Sequence, residues 1–550
     1  MRDQKRLIPN PINPAHTVSP PTTAGPSCRQ LPPEHWLERL SSGQATHEDL
    51  NGYLLSQVDF ERLLGSGRLT HGERDFQLEQ FRALLDRLGR PQSRIPVIHV
   101  AGTKGKGSTC ALAASILQAH GLKVGLYTSP HLERYTERIR IGPEEIPPGR
   151  LGLLLARLRE EMTRSSGGEL RPDGWRTLFE QLTAAAFLFF AEEAVDVAVI
   201  ETGLGGRLDA TNVHHQPGPN PVVAVMTAIG LDHMAILGDT PRKIASEKAG
   251  IFQAHGAVVI GPQPRAWADQ VWESVHERLN ALPSQAGHMP RMAGGAGGIL
   301  PSQPPWNVEE VLPVSNCRPE GWTERARIRI PMPGRPPEEW EVEVGLPGEH
   351  QVANARCALA AVLALDTLLI QSGRECGLNL QPEALREGLA RVRWPARCEV
   401  LNAQRPVVID GAHCPLSIRA TLETLARHGR GAGNGSPVEY TLVLGLMQDK
   451  DLGAMMQAME EGGATWADQP PSHGVWIRRI LATQADWPRA MPAELLAQRL
   501  REVLPRMVSV LTEPNPETAF RSALEAPGGV VGLGSLYLPG PFRQAYSQFQ

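Results

Sequence analysis

Short runs of valine, isoleucine and alanine recur between longer amphipathic stretches from Ile95 onward. Ile95–Val100, Val124–Tyr127, Val195–Ile200, Val222–Thr227 and Val258–Ile260 read as strands, because continuous apolar runs of this length suit strands buried on both faces. Between them, Ser108–His120, Pro148–Met162, Thr177–Glu193 and Pro241–Ile251 read as helices. The alternation predicts an α/β unit whose mainly parallel sheet is covered on both sides. Upstream, Trp36 to Leu88 reads as largely helical, with Phe76, Leu78, Phe81, Leu84, Leu85 and Leu88 at roughly helical spacing. A helix over Gln351–Leu369 is followed by a connection through Trp394-Pro395. Val407–Ile409 then opens a second, smaller alternating unit of Rossmann-like type, with strands over Tyr440–Gly445, Gly474–Thr483 and Gly529–Leu533. The boundary is placed near Val392, which gives domains over 34–391 and 392–550.

Two segments break the rhythm. Residues 1–33 are rich in proline and carry no apolar signal core, which predicts a disordered extension. Residues 283–305 are dominated by glycine and proline and read as a flexible surface insertion. At 550 residues the chain is long enough for two or three cores. A net charge of −4 gives no electrostatic case for nucleic acid or an anionic membrane, so any polyanion must be handled by local chemistry. No apolar run reads as a bilayer span. The seven cysteines (Cys28, Cys110, Cys317, Cys357, Cys376, Cys398 and Cys414) are scattered, without the spacing of a zinc site. Reduced thiols and a cytoplasmic location are the expectation.

The chemistry concentrates where strands end. The first strand runs into Gly102-Thr-Lys-Gly-Lys-Gly-Ser108 and then a helix. Such a turn bares backbone N–H groups at a helix N-terminus, where the dipole favours anions. Gly105 and Gly107 let the main chain close on phosphate oxygens, Lys106 supplies a point charge and Ser108 a hydroxyl. The usual phosphate loop ends Gly-Lys-Ser/Thr; here Gly107 separates Lys106 from Ser108. The second strand ends in Thr128-Ser-Pro-His-Leu132, and the third in Glu201-Thr-Gly-Leu-Gly-Gly-Arg-Leu-Asp-Ala-Thr-Asn212. A carboxylate at a strand end before a glycine-rich turn can reach magnesium bound to phosphates; otherwise Glu201 is a solvated helix cap. A lone histidine such as His233 is usually structural, and Lys248 on its helix is by default exposed.

Together these segments resemble the folylpolyglutamate synthase/dihydrofolate synthase family, part of the Mur ligase superfamily of ATP-dependent amide-forming enzymes. The resemblance rests on GTKGKGS, TSPHLERYTERIRI, ETGLGGRLDATN, LDHMAILG, SEKAGIF, HQVANA, WPARCEV, IDGAHCP and LGLMQDKD, in that order. It implies a Mur-ligase-like phosphate-loop domain followed by the smaller C-terminal domain. It implies that Gly105, Lys106, Gly107 and Ser108 cradle the phosphates of ATP. Ser129, Glu201 and His233 would then hold Mg2+, directly or through water, beside a carbamylated Lys248. Asn354, Arg397 and Asp410 match positions on the base and ribose side of the nucleotide, and His413 lies in the matching DGAH segment.

For a pterin-bearing substrate the resemblance points to Thr177, Leu178, Phe179 and Glu180, and to Leu208, Asp209 and Ala210. Phe179 could pack on a planar pterin, or be core on its helix; Glu180 or Asp209 could accept its N–H groups. Two departures stand out. Gln77-Leu-Glu-Gln80 replaces the Gly-Leu-Glu-Arg of relatives, and Cys414 replaces an asparagine. The implied reaction joins L-glutamate to dihydropteroate and to the glutamate tail of folates through an acyl phosphate, in a monomer. The alternatives are an enzyme restricted to tail extension, another Mur-type ligase, or a nucleotide-binding regulator without turnover.

Overall fold

The computed structural model describes residues 34–55, 78–163, 176–214, 220–254, 256–282, 291–292, 308–312, 322–330, 338–373, 377–428 and 438–550. The proline-rich extension, Gln77 and most of the 283–305 segment lie outside them.

Eight strands form the first sheet: β1 (Val97–Ala101), β2 (Val124–Tyr127), β3 (Ile139–Ile141), β4 (Glu144–Glu145), β5 (Val197–Glu201), β6 (Val222–Met226), β7 (Ala257–Ile260) and β8 (Arg291–Met292). Their spatial order is β4-β3-β2-β5-β1-β6-β7-β8. All pairs are parallel except the two made by β3, with β2 and with β4. Period-two alternation divides the apolar runs between two cores. Ile98, Val100, Val197 and Val199 face helices Lys106–Ala119 and Glu349–Gln371. Val97, Ala198 and Ile200 face helices Leu78–Arg87, Pro148–Thr163 and Leu178–Glu192. The helix Glu349–Gln371 corrects one expectation, since it is long and apolar enough to cross a membrane by composition. Its apolar face is core here, with Ala358, Val362, Leu365 and Leu369 fully buried.

Two features were not anticipated. Arg291–Met292, inside the segment read as an insertion, adds an edge strand beside β7. A separate antiparallel sheet is made of β9 (Val308–Leu312), β10 (Glu324–Ile330) and β11 (Glu338–Val344). It turns Ala326, Ile328, Trp340 and Val342 into the first core and leaves Arg327 and Glu341 paired outside at 3.4 Å.

The second unit holds β12 (Glu399–Asn402), β13 (Val407–Ile409), β14 (Glu439–Leu444), β15 (Ala464–Thr465), β16 (Val475–Ala482), β17 (Ser509–Thr512) and β18 (Gly529–Leu533). Its order is β12-β13-β18-β14-β16-β15, with β17 beside β16, and only β12 runs antiparallel. Val408, Leu442, Leu444 and Val531 pack on one face; Val407, Ile409, Val443 and Val530 pack on the other. Trp322, from the first unit by sequence, belongs to this second core. Strand order reverses around β18, so the loops after β13, β14 and β18 open on one crevice, where such sheets bind ligands.

Candidate active site

The glycine loop leaves β1 and is bolted to the chain after β6. Thr103 and Lys104 N–H groups donate to the Ala228 carbonyl at 3.0 and 3.2 Å, and the Thr227 hydroxyl donates to the Lys104 carbonyl at 2.7 Å. Gly105 caps the helix at φ 86°, a left-handed conformation that favours glycine, and a side chain there would collide with the Asn354 amide. The helix therefore begins at Lys106, two residues earlier than the sequence pattern suggested. The N–H groups that open a helix have no carbonyl partner within it, and Gly107 of this turn lines the cleft. Ser108 is buried at the start of this turn.

Glu201, the last residue of β5, lies beside that turn. A Cβ on Gly107 would sit 3.4 Å from its carboxylate and 3.2 Å from the Trp394 indole nitrogen. Glu201 is 5 % exposed and accepts the Ser129 N–H at 3.2 Å. Burial pushes its carboxyl above the usual range, against the lowering pull of the Lys106 charge. An open cleft of about 450 Å³ is lined by Gly107, Ser129 and Glu201 from the first unit and by Trp394, Arg397 and Leu536 across it.

His233 and Lys248 both lie within reach of the Lys106 charge. His233 is half exposed, at φ 50°, and its ring is 3.9 Å from the Asp232 carboxylate. Lys248 is 4 % exposed, which overturns the default reading of a solvated lysine. Burial, then the Lys106 charge, pulls its ammonium down to about 7. Among the described residues no three His, Cys, Asp or Glu side chains converge as a ready-made metal cage. Magnesium does not require one, since it takes one or two carboxylates and fills its shell with water and phosphate oxygens. The buried Glu201 carboxylate beside a phosphate-type loop fits that demand.

Of the residues expected on the base and ribose side, Asn354 donates from Nδ2 to Gln351 at 2.8 Å while its carbonyl oxygen faces Gly105. Asp410 follows β13 and accepts the Cys398 and Ala412 N–H groups at 2.5 and 2.6 Å, with the Arg397 charge nearby. His413 Nδ1 contacts the Gly411 carbonyl at 2.8 Å, and burial, then Lys104, lowers its ring to about 4. Cys414 starts the helix Pro415–His428, its N–H 3.2 Å from the Ser417 hydroxyl.

None of the residues expected at the pterin is among those lining this cleft. Thr177 caps the helix Leu178–Glu192 in a capping box: Glu180 N donates to the Thr177 hydroxyl at 3.2 Å, and Thr177 N donates to Glu180 Oε2 at 2.8 Å. Leu178 is core. Phe179 covers Gly203, where a Cβ would meet the ring at 2.6 Å, so this helix does touch the loop after β5. In that loop Leu208 is half-buried and Ala210 buried. Asp209 accepts N–H groups of Leu204 and Thr211 at 2.8 and 3.0 Å and the Thr211 hydroxyl at 2.5 Å. Gln80 meets Arg176, which comes from outside the expected segment, at 2.5 Å.

Residues 100–278 match the Mur ligase middle domain and residues 396–533 match the Mur ligase glutamate ligase domain. The chain is 31 % identical to the folylpolyglutamate synthase of Lacticaseibacillus casei, over 84 % of this chain and 92 % of that protein. It is 33 % identical to the dihydrofolate synthase/folylpolyglutamate synthase of Bacillus subtilis, over 72 % of this chain and 80 % of that one. The chain belongs to the folylpolyglutamate synthase/dihydrofolate synthase family. A family member of known structure is the bifunctional enzyme of Yersinia pestis complexed with AMPPNP and a manganese ion. It superposes with a TM-score of 0.63 at 27 % identity, over 92 % of this chain and 99 % of that one. The Mur-ligase-like fold expected from the sequence is thereby shown.

Two cleft features were missed in the sequence. The Lys104–Asp232 pair at 2.9 Å joins residues 128 positions apart. Trp394 was read as part of a connection, because Trp-Pro carries no periodic signal.

Proposed function

We propose that this family member ligates L-glutamate, using ATP and Mg2+, both to dihydropteroate and to the glutamate tail of folates, acting as a soluble cytoplasmic monomer. Residues 34–391 form its ATP-binding unit and 392–550 its C-terminal unit. The observation that carries the reading is the glycine loop of one unit, the buried Glu201 carboxylate and Arg397 of the other sharing one cleft.

The substrate carboxylate attacks the γ-phosphorus of ATP, giving an acyl phosphate and ADP. The free amine of glutamate then attacks the acyl carbon, and phosphate leaves. Gly105, Gly107 and Ser108 offer N–H groups to the phosphates, and Lys106 offsets their charge. Asn354, Arg397 and Asp410 orient the base and ribose. Ser129, Glu201 and His233 would hold magnesium, with Lys248 as the anionic carbamate beside it. When bound, that ion neutralises phosphate oxygens and polarises the phosphoryl group. Trp394 and Leu536 keep water from the acyl phosphate, which hydrolysis would otherwise destroy.

The reading is tested with purified protein, ATP, labelled glutamate, and dihydropteroate or tetrahydrofolate, with products separated by tail length. ADP release that depends on neither acceptor nor glutamate refutes it. Glu201→Gln keeps shape but removes charge, so turnover falls by roughly 10²-fold at saturating ATP and the magnesium requirement rises. Unchanged magnesium titrations would withdraw the site.

Tail extension alone is the second reading, and one observation favours it. The carboxylates of Glu180 and Asp209 already accept backbone N–H groups of Thr177, Leu204 and Thr211, which leaves the Phe179 ring and backbone groups for a pterin. Thr177, Leu178, Leu208 and Ala210 then act through shape. Phe179→Ala should weaken dihydropteroate use by about tenfold with a smaller effect on tail extension. Equal losses on both acceptors, or failure to complement a strain lacking dihydrofolate synthase, selects the tail-extending reading.

A further inference from the structure

A carboxylate with no exposed surface sits where the two units meet. Glu324 opens β10 of the small antiparallel sheet, whose Ala326 and Ile328 belong to the first core. Its Oε1 accepts the Gly348 N–H at 2.8 Å and His428 Nε2 at 2.9 Å, and Arg427 Nη2 approaches to 3.1 Å. Arg427 and His428 end the helix Pro415–His428 of the second unit, where the Arg427 charge also suits the helix dipole. Trp322, two residues before Glu324, stacks on His428 with ring centres 5.3 Å apart and planes 13° from parallel.

The third partner connects this cluster to the nucleotide loop. Gly348 caps the helix Glu349–Gln371, which carries Asn354 against Gly105. Its φ is 114°, and a Cβ there would meet the His350 ring at 2.5 Å and the Thr424 hydroxyl at 2.9 Å, so glycine relieves crowding both within its own helix and against the neighbouring one. One carboxylate thus joins the small sheet, the helix bearing Asn354 and the helix that follows the DGAH segment.

We infer that Glu324 is a positioning residue, which holds the second unit, with its Arg397, Asp410 and His413, in register with the phosphate loop. A buried charge is tolerated only where every partner is in place, so this cluster favours one relative placement of the units over its neighbours. Phosphoryl transfer followed by attack of an amine depends on that register, because displacements near an ångström slow such reactions steeply.

The activity part of the test rests on the ligase reading; the distance part does not. The full chain is compared with Glu324→Gln and with Arg427→Gln, whose half-buried site keeps the question open if the first variant does not fold. Fluorophores are attached at the exposed Leu153 and Val503 through genetically encoded unnatural residues, and their distance distribution is read with ADP bound. Both variants should broaden that distribution. The kcat of Glu324→Gln should fall by about tenfold or more per folded molecule, KM for ATP should change by less than about threefold, and Arg427→Gln should follow in the same direction with a smaller loss. An unchanged distance distribution overturns the inference, as does a broadened one with normal kcat. So does a rate loss accounted for by the unfolded fraction. Failure of the ligase reading would instead leave the broadening intact.

Discussion

Lys106→Ala loses turnover by at least about 10²-fold, equivalent to about 2.7 kcal/mol of transition-state stabilisation, while the fold survives. The lysine stands at the first position of its helix, half-buried, with its backbone held by Gly105 as cap. Alanine is a good helix former there and leaves no cavity. What disappears is a cation beside the phosphates and beside Glu201. The second effect gives the prediction a signature. The Glu201 carboxyl is raised by burial, and Lys106 is its largest lowering influence. Without that charge the carboxyl rises further, so a larger share is protonated at a given pH and magnesium must compete with that proton. The acid limb of the pH–rate profile therefore moves to higher pH, and added magnesium moves it back. Steady-state ADP release from pH 5 to 9 at two magnesium concentrations reads both effects. Near-normal turnover in the variant would remove Lys106 from the phosphate site.

What was legible in the sequence follows its physics. Strands buried on both faces appear as unbroken apolar runs, so β1, β2, β5, β6, β13 and β18 fell within a residue or two of their places. The phosphate loop was legible because glycines and lysines between a strand and a helix leave few other uses. The small sheet was not read, although charged and apolar residues alternate from Arg325 to Ile330 and from Glu339 to Val344. It follows a glycine- and proline-rich tract, and its charged face hides the period from a search for apolar runs. Contacts between distant residues left no local trace. Lys104 and Asp232, or Glu324 and His428, pair only once the fold brings them together. Nor can a motif tell whether a carboxylate is free. Asp209 and Glu180 match a substrate-binding pattern, yet both bond neighbouring backbone N–H groups first.

Lys248→Ala should cost activity on the same scale as Lys106→Ala, and its recovery by small carboxylic acids distinguishes the cause. A lysine buried beside Lys106 cannot stay charged cheaply, and its ammonium is pulled down to about 7. At neutral pH roughly half of it is then the free amine, against roughly one part in 2,500 for an ordinary lysine near 10.4. Only the free amine adds carbon dioxide, and the product would place an anion beside the proposed magnesium site. The sign follows directly. Raising pH from 6 to 8 increases the neutral fraction, so at limiting dissolved carbon dioxide the wild-type rate rises across that window. Supplying bicarbonate should lift the rate most at the acid end, where the amine is scarcest. In Lys248→Ala the anion is missing at every pH. Activity falls by about 10²-fold, bicarbonate has no effect, and formate or acetate at millimolar levels restores part of it by occupying the vacated space. A crystal with nucleotide bound should show density for a carboxylate beyond Nζ. An unmodified Lys248 there, or a wild-type rate indifferent to bicarbonate at pH 6, would return this residue to an ordinary buried lysine.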